Sequence, residues 1–302
     1  GLIVLPVDDI VVGDHVILQG GNKITADGEY PYGLDSQRAL SIVERLHAEQ
    51  RATELEAAPI LGQFDYDHMK ALHYHLFQDV YDWAGQERTA PIPGPLVKYG
   101  PDVSKFPDVD MSDRSVAHKY LPAGPELSKA AIEQYDHIRH ADYLRGLDHD
   151  EFVENLAIRW GALNEVHSFR EGNTRTQFMF FTDLAHHAGY AINAAAFKPP
   201  TVAQVLAGHP NILRDRFVAA RFYYQDFRDA GPLAEVLAQA VRPLTDAERD
   251  AHPIVPVEAR RARHVASAAF SGGVGVQPSS VQHHAAQPAP TYEPYQRPGY
   301  SL

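Results

Sequence analysis

One stretch of this chain gathers a base, a hard carboxylate, a glycine turn and a fixed cation: His167-Ser168-Phe169-Arg170-Glu171-Gly172-Asn173-Thr174-Arg175-Thr176-Gln177. His167 carries an imidazole, the side chain whose ordinary titration near pH 6.5 suits general-base work at neutrality. Glu171 offers hard oxygen, and Mg²⁺ is commonly held by one or two carboxylates together with a substrate's phosphates. Gly172 permits a positive φ or a close backbone approach. A helix starting just after it leaves several N–H groups unpaired, and these form a natural cradle for phosphate oxygens. Arg175, on that helix's first turn, has the planar fork that clamps phosphate bidentately. Base, metal ligand, anion cradle and clamp within one short segment describe a site for phosphoryl or nucleotidyl transfer.

Such a segment needs a scaffold on both sides. Ahead of it, Phe152, Leu156, Trp160 and Leu163 step by four, four and three, which predicts a helix from about Asp148 to Glu165 with Asp148 or Asp150 as cap. Behind it, Phe178, Phe181, Leu184 and Ala185 share a face of a helix over about 174–187 that stops at Gly189. Asn173 is placed to cap this second helix. A third unit, FDYDHMKALHYHLFQDVYDWAG, has Asp65 or Asp67 as cap, and Met69, Leu72, His73, Leu76 and Phe77 lie near one stripe. Its histidines read as packing groups rather than zinc ligands. His186 and His187, at the end of the second helix, read as favouring its dipole.

Further helices are predicted from Ser36, where Leu40, Ile42, Val43, Leu46 and Leu55 recur, and over about 126–141, 201–207, 213–229 and 232–241. The run through Ile10, Val11 and Val12 to Val16, Ile17 and Leu18 predicts a small hairpin. The stretch 90–98 contains Pro91-Ile92-Pro93 and reads as a flap, and 101–125 reads as loop. The fold class is therefore mainly α, a helical core with a short β-hairpin flap and a small amino-terminal β element. The expected organisation is 1–35 β and loop, 36–244 helical domain, and 245–302 a flexible Pro- and His-rich tail.

Composition narrows the function further. The chain has 302 residues, no cysteine, and 27 Lys plus Arg against 39 Asp plus Glu, for a net charge of -12. Disulfides, thiolate metal sites and cysteine nucleophiles are excluded. The acidic balance argues against nucleic acid as a partner. No uninterrupted apolar run has the length of a membrane span. The opening GLIVLPVDDIVVGDHVIL lacks the basic start of a cleavable signal.

HSFREGNTR resembles, at every fixed position, the Fic-domain signature H-x-F-x-[D/E]-G-N-x-R. The block ending in WAGQERT is similar to the helix and WAG-x-x-R-T turn that precede the Fic flap. The resemblance spans roughly residues 36–244. It implies an all-helical core with a hairpin flap, ATP and Mg²⁺ as cofactors, and transfer of AMP from ATP to a Ser, Thr or Tyr hydroxyl of a target protein. Carried onto this chain, His167 is the base, Glu171 the magnesium ligand, and Gly172, Asn173 and Thr174 the anion hole. Asn173 also contacts phosphate, Arg175 binds the phosphates, and Phe169 anchors the loop in the core. The target would dock by strand addition on the flap near residues 90–98. Arg88 would pin that flap.

Three departures stand out. Thr174 occupies a position that is more often glycine, Ser168 one that is usually proline, and Phe178 one where a second arginine is expected to orient the terminal phosphate. No [S/T]-x-x-x-E-[G/N] inhibitory helix is found at either end, so the expected protein is controlled by a separate antitoxin-like partner, is unregulated, or is shaped by the missing pairing arginine. Two other readings stay open: a Fic-type transferase with another donor (UMP, phosphocholine or phosphate), and a catalytically inactive protein-binding module. The expected place of action is cytoplasmic, or a host cytoplasm reached through a specialised secretion system.

Overall fold

The apolar spacings become helices whose caps are written in the sequence. The structure is a computed structural model that describes residues 10–12, 15–17, 36–89, 96–208 and 211–271. Its first helices are α1 (Ser36–Ala57), α2 (Tyr66–Phe77) and α3 (Pro125–His140), followed by α4 (His149–Val166) and α5 (Asn173–Ala188). Then come α6 (Val202–Leu206), α7 (Ile212–Phe227) and α8 (Gly231–Ala238). Asp65 accepts from the His68 N–H to open α2. Asp148 and Glu151 form a reciprocal capping box that opens α4.

The predicted faces of α2, α4 and α5 are buried. Phe152, Leu156, Trp160, Phe180, Phe181 and Leu184 are inaccessible to solvent, and Phe181 stacks on Trp160 with ring centroids 4.5 Å apart. Helix α4 packs against α3, α5, α7 and α8 and is the centre of the core. Helix α1 differs from its prediction. Ile42 and Leu46 are 46% and 62% exposed, whereas Glu44, Ala48 and Leu55 face inward. The helix is turned so that a carboxylate, not the bulkiest apolar residues, meets the interior. His187 is also corrected. It is buried against Phe64 and Tyr143, and burial pushes its pKa down to about 4, so it is a neutral core group and no dipole partner.

Strands β1 (Ile10–Val12) and β2 (His15–Ile17) form the expected hairpin. They join β3 (Leu96–Gly100) and β4 (Val116–Tyr120) in an antiparallel sheet of order β2-β1-β3-β4. Residues 90–95 of the predicted flap lie outside the described residues. Strand β4 falls in a stretch read as loop, and β5 (Tyr190–Ile192) pairs with β6 (Val241–Pro243) where no strand was foreseen. Strands this short carry little alternation, and their pairing is decided by the helices they bridge. His118 of β4 stacks on Phe222 of α7 and bridges Asp226 and the Pro101 carbonyl, which ties the sheet to the helical core.

The predicted tail is ordered well past residue 245. Helices α9 (Asp246–Ala251) and α10 (Val257–Ser271) follow β6. Arg260 is buried over the Phe64 ring, donating to the Gly62 carbonyl and to Asp183. Composition pointed the other way because the region is rich in Ala, Arg and Pro and poor in large apolar groups. Its attachment is a buried guanidinium. The chain divides into units 1–264 and 265–302, and the described part of the second consists of residues 265–271. Among the described residues no helix is long and apolar enough to cross a membrane.

Candidate active site

The motif loop is the link from α4 to α5, and its shape follows from its two ends. His167 sits at the C-cap of α4 in the left-handed region, with φ 51°. Its ring lies against Tyr120 of β4, with centroids 4.0 Å apart. Gly172 is the N-cap of α5 at φ 77°, and no side chain caps that helix. A Cβ on Gly172 would fall 2.3 Å from the Phe77 ring, so both the dihedral and the space demand glycine.

Four groups hold the loop. Phe169 is buried and stacks on His73 of α2 at 3.9 Å. His73 bonds the Glu171 carbonyl through Nε2 at 3.0 Å, and its Nδ1 accepts the Gly85 N–H at 2.8 Å. Those two bonds fix a neutral tautomer, and burial pushes its pKa down to about 3. Arg88 is buried; its Nε donates to the His167 carbonyl and its Nη2 to the carbonyls of Leu121 and Val166. It closes the carbonyl end of α4. Burial lowers its pKa to about 10, and the group stays cationic. The expectation that Arg88 pins the flap is thus shifted: it pins the motif loop together with the chain leaving β4. Asn173 completes the set. Its Nδ2 donates to the Phe169 carbonyl at 2.7 Å, and its Oδ1 accepts the Phe169 N–H at 2.9 Å. Both polar ends of this amide therefore serve the loop, and it is Gly172 rather than Asn173 that caps α5.

Glu171 and Arg175 line one side of the loop. Glu171 is buried, and its Oε1 lies 3.0 Å from the Gly172 N–H and 3.7 Å from the Arg175 guanidinium. The Gly172 amide, expected to face an anion, is thus turned onto the neighbouring carboxylate. Arg175 rests over the Phe77 ring at 4.8 Å and donates to Glu44 of α1. Glu44 also accepts the Tyr81 hydroxyl, whose ionisation is strongly suppressed by burial and by the nearby Glu44 and Glu171.

Arg221 of α7 donates to Thr174 Oγ1 at 2.9 Å and to Asn164 Oδ1 at 3.1 Å. Phe178, in place of the expected second arginine, packs among Trp160, Phe197 and Phe217. Glu44, Tyr81, Tyr120 and Arg221 were not legible as site residues. Each comes from a separate element, and no short spacing joins them to the motif.

The site fits Mg²⁺ as a shared ligand set. No group of three or more His, Cys, Asp or Glu side chains among the described residues would cage an ion. Glu171 supplies a buried carboxylate at the start of α5, and Mg²⁺ takes single carboxylates when phosphates provide further oxygens.

Comparison with known proteins places the motif loop within a family match. The model of the Fic/DOC family matches residues 63–185. The protein adenylyltransferase VbhT of Bartonella schoenbuchensis is 38% identical over 161 residues, 53% of this chain and 29% of VbhT, so the chain spans under a third of that relative. The probable protein adenylyltransferase Fic of Escherichia coli is 32% identical over 177 residues, 55% of this chain and 78% of that protein. Among solved structures, BepC of Bartonella tribocorum, a VirB-translocated effector crystallised with AMPPNP, superposes with a TM-score of 0.55 at 20% identity. That match covers 76% of this chain and 97% of BepC, and it speaks for the fold.

Proposed function

The chain belongs to the Fic/DOC family, and from that premise we propose that it is a protein adenylyltransferase, moving AMP from ATP to a Ser, Thr or Tyr hydroxyl of a target protein. The observation that carries the proposal is the motif loop itself. His167, Glu171 and Arg175 stand on one rigid turn whose backbone is held by His73, Arg88 and Asn173.

In this reading the target's hydroxyl oxygen attacks the α-phosphorus of ATP, and the bond from that phosphorus to the bridging oxygen breaks. Pyrophosphate leaves, and the hydroxyl proton passes to His167. The first-turn amides of α5 and the Arg175 guanidinium neutralise the charge that grows on the leaving group. Glu171 would hold Mg²⁺, which when bound supplies positive charge between the phosphates. Arg175 must exchange Glu44 for phosphate to do this, so α1 sets how readily the clamp becomes available. Target docking by strand addition belongs to the proposal as well. At Leu96 and Val97 the β3 edge is paired with β1, so a target strand there takes the place of β1 or uses residues 90–95. Control by a separate antitoxin-like partner belongs to the proposal as well. ATP as donor supports a cytoplasm, the cell's own or a host's, as the place of action.

The test is incubation with ATP carrying a labelled adenosine, Mg²⁺ and a cell lysate, with mass spectrometry of the labelled protein. Transfer of AMP mass is expected, with its loss in His167→Ala while the melting temperature stays unchanged. Equal labelling by the variant would remove His167 from the mechanism. A donor other than ATP is the second reading, favoured by Phe178, and an added mass other than AMP would establish it.

A further inference from the structure

Helix α7 places a buried cation against the first turn of α5. Arg221 is 9% exposed, and its guanidinium lies over the Phe217 ring at 4.6 Å. Its Nη1 donates to Thr174 Oγ1 and to Asn164 Oδ1. Thr174 is the second residue of α5, on the turn that forms the cradle, and Asn164 lies three residues before His167. The placement is built into the packing. Phe178 stands one turn beyond Thr174 on α5 and touches Phe217, one turn before Arg221 on α7. Gly161 of α4 gives the approach room: a Cβ there would fall 2.5 Å from the Tyr224 ring. The aromatic contact and the glycine together fix the register that brings Arg221 over the first turn of α5.

Taking the nucleotidyl-transfer reading as its basis, we propose that Arg221 binds the leaving diphosphate of the donor and thereby selects a nucleoside triphosphate. The phosphorus under attack must sit beside His167 at the end of α4. The outer phosphates then extend over the first turn of α5, which Arg175 flanks on the α1 and α2 side and Arg221 on the α7 side. Two fixed guanidinium groups match the charge of a diphosphate better than one, and a buried cation on an aromatic face meets phosphate with little reorganisation. Phe178 is then no defect in the site, because the second cation arrives from another helix.

The experiment measures binding by calorimetry with Mg²⁺, in a His167→Ala background that prevents turnover. Arg221→Gln is expected to weaken ATP by about tenfold or more, the scale of one lost charge-assisted bond to phosphate, and to leave AMP within about twofold. Arg221→Lys should recover part of the loss. Thr174→Val, which removes the hydroxyl that Arg221 grips, should weaken ATP in the same direction, and it decides the matter should Arg221→Gln melt early without nucleotide. Unchanged ATP affinity in these variants overturns the proposal, as does equal weakening of ATP and AMP, the mark of a merely structural arginine. The two readings fail separately. A protein that binds ATP in an Arg221-dependent way yet labels no target loses the transferase reading alone. One that labels targets with AMP while Arg221→Gln binds ATP normally loses the Arg221 assignment alone.

Discussion

At the scale of single residues, the site depends on backbone positions that tolerate one residue type. Gly172 is the sharpest case. Alanine there must adopt a left-handed conformation, costing about 1–2 kcal/mol, before any contact is counted. Its methyl would also enter the Phe77 ring, which cannot retreat because it is fully buried and packs against His73. Since His73 holds the Glu171 carbonyl, moving Phe77 disturbs the carboxylate as well as the cradle. Gly172→Ala is therefore expected to abolish nucleotide transfer and to lower the melting temperature, measurable by labelling and by thermal unfolding. Full activity would mean that the α5 start can relax without Phe77. The motif residues themselves were legible because they lie within one segment, and their types declare their chemistry. Asn173 shows where that legibility ends. Its residue type suits phosphate contact or helix capping equally well, and only the closed ring of bonds to Phe169 assigns it to the loop.

At the scale of elements, position along the chain predicts helices well and their rotation poorly. Apolar steps located α2, α4, α5 and α7, with capping residues marking the starts of α2 and α4, since each is amphipathic over several turns. The facing of α1 was misread, because its inward positions carry Glu44 and Ala48 where Ile42 and Leu46 look more apolar. Burying Glu44 becomes favourable only through Arg175 and Tyr81, partners 131 and 37 residues away. The same limit hid the α4–α7 contact, which has a testable consequence. Gly161→Ala would gain about 1 kcal/mol of helix propensity but force the Tyr224 ring outward, and overpacking of this kind costs about 1–3 kcal/mol. The affected atoms are at the root of the ring, so α7 itself must shift. A net fall in melting temperature is expected, along with weaker ATP binding as Arg221 leaves Thr174. A rise in stability with unchanged affinity would show that α7 has slack.

At the scale of the whole molecule, stability and the site share the same buried histidines. The helical core was visible in the sequence, whereas the attachment of α10 through Arg260 was not, since one buried guanidinium leaves no periodic trace. His68 and His73 are both fully enclosed, and burial lowers their pKa values from 6.5 to about 4 and about 3. The sign follows from proton binding. Below pH 6.5 the unfolded chain takes up protons that the native protein refuses, so stability is lost progressively as the pH falls from 6.5 towards those native values. Each histidine contributes on the order of 3 kcal/mol to that loss. His73 adds a local effect. Its Nδ1 accepts the Gly85 N–H, and protonation would set two N–H groups against each other beneath the motif loop. Urea unfolding midpoints should therefore fall steeply between pH 6.5 and about 4, and exchange protection of the Gly85 amide should fall with them. His68→Asn should flatten the slope of the midpoint without altering the Gly85 response. A midpoint independent of pH over that range would mean that both rings take up protons as readily in the folded protein as in the unfolded chain, which would remove the neutral tautomer by which His73 grips Glu171.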